Sequence, residues 1–296
     1  MTVQNWTDKQ VFMDYLGACT ARGSAAPGTE KVYLAAISLF LGFCNASRLN
    51  PRYASEQDIE NWRHLMIVHG ASANTVMVRL SAVRTLYKAL ARAGIREDNP
   101  ALHVKSPRPK VLPVDKIMEK IIFPDQMIII LGKIENNFRG RRDRVILLVM
   151  YLLGLRVSEV AGLSWDDFKD DLLGFVSKGG QERKLSVPEA LKAGLNELKT
   201  DLSTGPMFLG SKNGRLSVRG IQKMVEARLS AVGITKKGPH SFRHSCATVA
   251  AMNGVSPFAI QDHLGHSSQR TTAIYTRAAG RLMDAPSNAV ARAINL

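Results

Sequence analysis

Residues 238–277 read GPHSFRHSCATVAAMNGVSPFAIQDHLGHSSQRTTAIYTR. This stretch places His240 and Arg243 three residues apart, then His266, then Tyr275 nine residues further on. On a helix, His240 and Arg243 share a face. Upstream lie Arg156 and Lys178. An arginine stays charged and can grip a phosphate through two parallel hydrogen bonds. Two arginines, a lysine and two histidines around one phosphate can stabilise a pentacoordinate transition state without a metal. A tyrosine in the same place can serve as the nucleophile.

Five segments carry a resemblance. GLRVSEVAGLSWDDF (154–168), KGGQERKLSVP (178–188), HSFRH (240–244), HLGHSS (263–268) and TTAIYTR (271–277) resemble, in order and at similar spacings, the signature boxes of the tyrosine recombinases. Size and two-part layout are most similar to the Xer-type members. The resemblance implies a catalytic set of Arg156, Lys178, His240, Arg243, His266 and Tyr275, with no metal and no cofactor. In the family the two arginines hold the scissile phosphate, and the hairpin lysine protonates the departing 5′-oxygen. Glu159 matches an acidic position that supports the site without reacting. Two positions depart from the pattern. Ser177 replaces the usual glycine before the lysine, and Gln181 stands where a lysine is common. Lys184 and Arg183 are therefore alternatives to Lys178. His244 and His263 read as structural.

The residues also admit plainer readings. Arg156 could pair with Glu159 or Asp166, Lys178 could be a solvated turn lysine, and Tyr275 could be packing. His240 and His244, four residues apart, could bind a metal on one helix face. No glutamate follows His240, so the HExxH pattern is absent.

The chain has 296 residues, enough for two domains with real cores. Its formal net charge of +15 points to a polyanionic partner, most commonly nucleic acid. Cys19, Cys44 and Cys246 are too widely spaced for a disulfide framework, which fits a reducing cytoplasm. The N-terminus, with Asp8 and Asp14, is no signal peptide. The longest uncharged apolar run, Val145 to Leu155, is too short to span a membrane and reads as a buried helix.

The periodicity predicts a mainly α chain with a small β element, an N-terminal helical DNA-binding domain and a mostly helical catalytic domain. Helical spacing marks residues 5–22. A second helix is capped by Thr29, with Val32, Ala36, Leu39, Phe40 and Phe43 inward. A third is opened by Ser55 and Asp58. A fourth begins after Ser72, with Val76, Leu80, Val83, Tyr87 and Leu90 as its apolar stripe. Arg84, Lys88 and Arg92 form a second stripe on that helix, and with Arg79 they are expected to face DNA. Residues 1–104 thus form the first domain. Residues 105–114, with three prolines and the cations Lys105, Arg108 and Lys110, read as a linker crossing a phosphate backbone. Residues 115–296 form the second domain. There, 141–156 predicts a central buried helix, and 175–187 a hairpin turning at Gly179-Gly180. A helix over 217–232 carries the further DNA-contact candidates Arg219 and Lys223, and Ser267 is expected to cap the Tyr275 helix.

The expected function is site-specific recombination of double-stranded DNA through a 3′-phosphotyrosyl intermediate and a Holliday junction. By resemblance, four protomers act on two sites, with or without a second recombinase or accessory proteins, and the segment after Tyr275 docks on a neighbouring protomer. The alternatives are a phage or mobile-element integrase, a type IB topoisomerase and a non-catalytic DNA-binding protein on the same scaffold. Many integrases carry an added arm-binding domain, for which the sequence leaves no room before residue 5. That favours a compact Xer-like enzyme or a transposon resolvase.

Overall fold

In the computed structural model, the residues described are 7–21, 28–107, 117–177, 180–199, 204–210, 214–265 and 269–282. The chain divides into two compact units, residues 1–111 and 112–296. None of the described helices is long and apolar enough to cross a membrane.

The first unit is built from α1 (Lys9–Ala21), α2 (Thr29–Ala46), α3 (Glu56–Val68) and α4 (Ala73–Arg92). Their apolar faces meet in a core of Phe12, Leu16, Ile37, Phe40, Trp62, Leu80 and Tyr87. The Phe40 ring packs edge-on against both Trp62 and Tyr87. The buried Tyr87 hydroxyl is satisfied by donating to the Pro51 carbonyl at 2.9 Å. Ser55 and Asp58 form a reciprocal capping box that starts α3. Ser72 accepts from the Thr75 amide to start α4. Thr29 is not a cap: Gly28 holds that position in a left-handed conformation, and Thr29 is the first helical residue.

The second unit is built around α6 (Phe138–Leu152), preceded by α5 (Pro124–Gly132). Pro124 occupies the first turn of α5, where a missing amide costs nothing. Asn137 caps α6 through the Gly140 amide at 2.8 Å. Buried Val145, Ile146, Leu147, Val149 and Met150 make α6 the centre of the main core. The helix stops at Leu152, four residues before the expected end, because Gly154 turns the chain with φ +64°.

Short α7 (Val157–Gly162) leads into an antiparallel sheet of order β1-β2-β3, formed by Phe168–Lys169, Leu172–Val176 and Glu182–Ser186. The first strand begins three residues earlier than expected and the second ends one residue earlier, with Phe175 opposite Arg183 and Val176 opposite Glu182. The two-residue β1 is too short to leave a periodic signal. Lys178 and Gly179 lie outside the described residues.

Among the described residues, five helices complete the unit: α8 (Glu189–Leu198), α9 (Val218–Ser230), α10 (Pro239–Met252), α11 (Pro257–Leu264) and α12 (Gln269–Leu282). Gly254, with φ +79°, and the Ser256 cap with Pro257 in the first turn separate α10 from α11 as their chemistry demands. Helix α10 packs against α6, α11 and α12. It therefore carries its polar residues into the centre of the unit. The expected cap, Ser267, lies outside the described residues.

Candidate active site

The site grows from the turns that follow α6 and α11. After α6, Gly154 approaches α10 and α11 so closely that a Cβ there would lie 2.5 Å from Leu264 Cδ2 and 3.2 Å from Cys246 Sγ. That close approach lets the Gly154 carbonyl accept from Arg243 Nη1 at 2.7 Å. The other terminal nitrogen, Nη2, donates to the Leu264 carbonyl at the end of α11. Arg243 is only 3% exposed, and two carbonyls accept from its guanidinium. Burial, then the neighbouring Arg156 cation, lowers its pKa to about 10, so it is still a cation at neutral pH.

Arg156 occupies the position before α7. Glu159 accepts from its backbone amide at 2.6 Å through one oxygen and from Nη1 at 2.8 Å through the other. The carboxylate is buried, with 4% of its side chain exposed, while that of Arg156 is 29% exposed. One face of the arginine is thus fixed, and part of it is open to a ligand.

The rest of the site lies on α10 and α12. His240 opens α10 one turn before His244, and their rings meet edge to face at 4.5 Å. His240 is exposed. Desolvation by the surrounding protein, then Arg243, Arg156 and Lys120, holds its pKa below the ordinary value. Neutral imidazole is the result at pH 7. His244 is buried, and its Nδ1 lies 2.8 Å from the Tyr275 hydroxyl. Tyr275 itself is 4% exposed. Burial raises its pKa, and the nearby cations Arg243 and Arg156 oppose that rise. The phenol is therefore protonated at rest, in a field that favours its anion.

Arg183 reaches across from β3, a tie of the sheet to α11. It donates to the carbonyls of Asp262 and His263, the latter at 2.9 Å, and its guanidinium lies over the Phe175 ring. Gly265, with φ +64°, accommodates that guanidinium, which a Cβ would meet at 2.6 Å. Burial, then Arg183, lowers the pKa of His263. Lys184 is exposed on β3.

Arg156, Glu159, His240, Arg243 and Tyr275 thus share one region of the second unit, while Lys178 and His266 lie outside the described residues. Two contributions were not visible in the sequence. His244, read as structural, bonds Tyr275, and Lys120, which no motif above includes, adds positive charge at His240. The i, i+4 spacing of His240 and His244 was the one available signal. Among the described residues, no group of three histidine, cysteine, aspartate or glutamate side chains is placed to hold a metal ion.

The DNA-contact candidates separate into classes. Lys88, Arg92, Lys105, Arg219 and Lys223 are exposed, and Arg79 is half-buried. Arg84 departs from the expected stripe: its guanidinium donates to Ala101 O at 3.1 Å, Val104 O at 2.6 Å and Ser106 Oγ at 3.0 Å. It secures the segment after α4 within its own unit. Arg108 and Lys110 lie outside the described residues.

The family model described as the phage integrase family matches residues 120–281. A second model, the N-terminal SAM-like domain of phage integrases, matches residues 14–97. The chain belongs to the phage integrase family. It is a site-specific tyrosine recombinase. It is 31% identical over 253 residues to the tyrosine recombinase XerC of Thermodesulfovibrio yellowstonii, covering 79% of this chain and 81% of the relative. The fold is also that of a Tn1549 transposon integrase in complex with transposon right end DNA, with TM-score 0.69, 17% identity and coverage of 96% and 98% of the two chains. XerH, in a post-cleavage complex with a palindromic difH substrate, has the same fold, with TM-score 0.68, 18% identity and coverage of 88% and 78%.

Proposed function

We propose that this recombinase cleaves and rejoins DNA through Tyr275. Arg156 and Arg243 grip the scissile phosphate, and His266 adds a hydrogen bond. The Tyr275 hydroxyl attacks phosphorus and forms a 3′-phosphotyrosyl bond. The bond from phosphorus to the 5′-oxygen breaks, and that oxygen takes a proton from Lys178. His240, neutral at rest, binds the phosphate or accepts the tyrosine's proton. Glu159 holds Arg156 in place. The phosphotyrosyl bond conserves the energy of the broken phosphodiester, so strand joining requires no ATP, metal or cofactor. A 5′-hydroxyl of the partner duplex then attacks, and two such rounds pass through a Holliday junction.

The observation that carries this reading is the placement of the Tyr275 hydroxyl, bonded to the residue next to Arg243 and within the field of two guanidinium groups. A packing tyrosine has no need of two neighbouring cations. Residues 1–104 form the DNA-binding domain, with Lys88 and Arg92 on α4 laid along phosphates. Lys105, Arg108 and Lys110 belong to the linker 105–114, and Arg219 and Lys223 extend the contact in the catalytic domain, residues 115–296. The partner is double-stranded DNA carrying a specific site, the working form is four protomers on two such sites, and the location is the cytoplasm.

A supercoiled plasmid carrying two directly repeated copies of a duplex selected for binding tests the reading. In EDTA, the wild-type chain is expected to resolve it into two circles. Relaxed topoisomers without exchange would point to a topoisomerase, and an unchanged plasmid to a DNA-binding protein.

A further inference from the structure

The proton on Tyr275 has an immediate neighbour that the proposed roles leave unused. That neighbour is His244, buried on α10, with Nδ1 2.8 Å from the phenolic oxygen. We propose that His244 is a catalytic residue that positions the nucleophile: its Nδ1 accepts a hydrogen bond from the Tyr275 hydroxyl and fixes that oxygen beside the phosphate-binding arginines. The inference rests on the reading of Tyr275 as the nucleophile.

Three observations support it. The 2.8 Å contact has the length of a bond from the phenol to a neutral imidazole nitrogen, a direction that requires the His244 proton to be on Nε2. His244 directly follows Arg243, whose guanidinium is fixed by the carbonyls of Gly154 and Leu264. One rigid helix therefore holds both the phosphate clamp and the atom that orients the nucleophile. The His240 ring stands edge to face against His244 at 4.5 Å, so rotation of the acceptor is blocked on that side. A buried pair formed only to satisfy polar atoms would need none of this alignment with Arg243. Misplacing a reacting atom by about 1 Å can cost about 100-fold in rate, which is the scale of what such an anchor protects.

Asparagine and leucine have nearly the same shape, but only asparagine can accept the hydrogen bond. His244→Asn and His244→Leu, made in the full chain, form a matched pair, with Tyr275→Phe as the control. The assay is single-turnover formation of the covalent adduct on a nicked duplex, alongside affinity for the uncleaved duplex. The expected result is H244N within about threefold of wild type and H244L slower by about tenfold to 100-fold, both binding DNA normally. Equal rates in all three chains overturn the proposal. So do equal losses in both variants, or a faster H244L, which would make the contact a restraint on attack.

If H244L does not fold, a long-range proton–nitrogen spectrum of the wild-type chain decides. Nδ1 of His244 is expected to be unprotonated and to shift in Tyr275→Phe, and an unshifted or protonated Nδ1 overturns the proposal. Failure of the wild type to form any Tyr275 adduct is a separate result: it refutes the nucleophile reading, while the spectrum still reports on the contact.

Discussion

Glu159 performs two tasks with one carboxylate, and replacing it separates them. One oxygen caps α7 through the Arg156 amide, and the other holds Arg156 Nη1. In Glu159→Ala both bonds vanish. Loss of a helix cap costs about 1 kcal/mol. Loss of a charge-assisted hydrogen bond costs about 1.5–3 kcal/mol. The arginine's partial exposure lets water replace some of that, so the lower end applies and the sum is about 2–3 kcal/mol. In Glu159→Gln the amide oxygen can keep the cap, but the NH2 group then faces the guanidinium, so about half of the loss is expected to remain. Urea unfolding of the full chain, followed by circular dichroism with comparison of midpoints at constant m, reads these differences. Cleavage is expected to slow in both variants while DNA affinity changes little, because an untethered Arg156 meets the phosphate in the wrong place. A Glu159→Ala chain within about 0.5 kcal/mol of wild type would refute the reasoning.

Gly154→Ala forces a side chain into left-handed backbone and against Leu264. About 1–2 kcal/mol of backbone strain and about 1–3 kcal/mol of overpacking are expected, with loss of cleavage because Arg243 leans on that carbonyl; a normal melting temperature contradicts this. Arg84→Ala is expected to destabilise the first unit by about 2 kcal/mol, because three acceptors lose their donor. Lys88→Ala is instead expected to leave stability unchanged and to flatten the salt dependence of DNA binding by about one unit of slope. Acidity tests His240. Its depressed pKa means that it adds nothing to stability above 6.5 and opposes folding as pH falls below 6.5 towards its folded value. The wild type is therefore expected to lose more stability between neutral and acid pH than His240→Gln does, and identical losses refute the shift.

What the sequence reveals here is what local chemistry controls. Ser55 with Asp58, Ser72, and the Gly254–Pro257 break each act within a few residues, so the starts of α3 and α4 and the gap between α10 and α11 could be read directly. Gly154 was quoted in a motif, but its shortening of α6 depends on Leu264 and Cys246, more than 90 residues away. Arg84 fits its helical stripe by spacing alone. Its guanidinium turns instead to carbonyls that reach it only after the chain reverses beyond α4. The same reason hid the role of His244, since its partner is 31 residues away on another helix. Spacing shows which face a residue occupies. It does not show which distant group the fold brings to that face.

The most direct test is to trap the covalent intermediate on a suicide duplex, nicked near the cleavage point, in EDTA, and to map the linked residue by mass spectrometry. Attachment of the 3′-phosphate to Tyr275, absent in Tyr275→Phe, is the predicted result. A duplex that the chain binds but never captures, or an adduct at any other residue, would contradict the account.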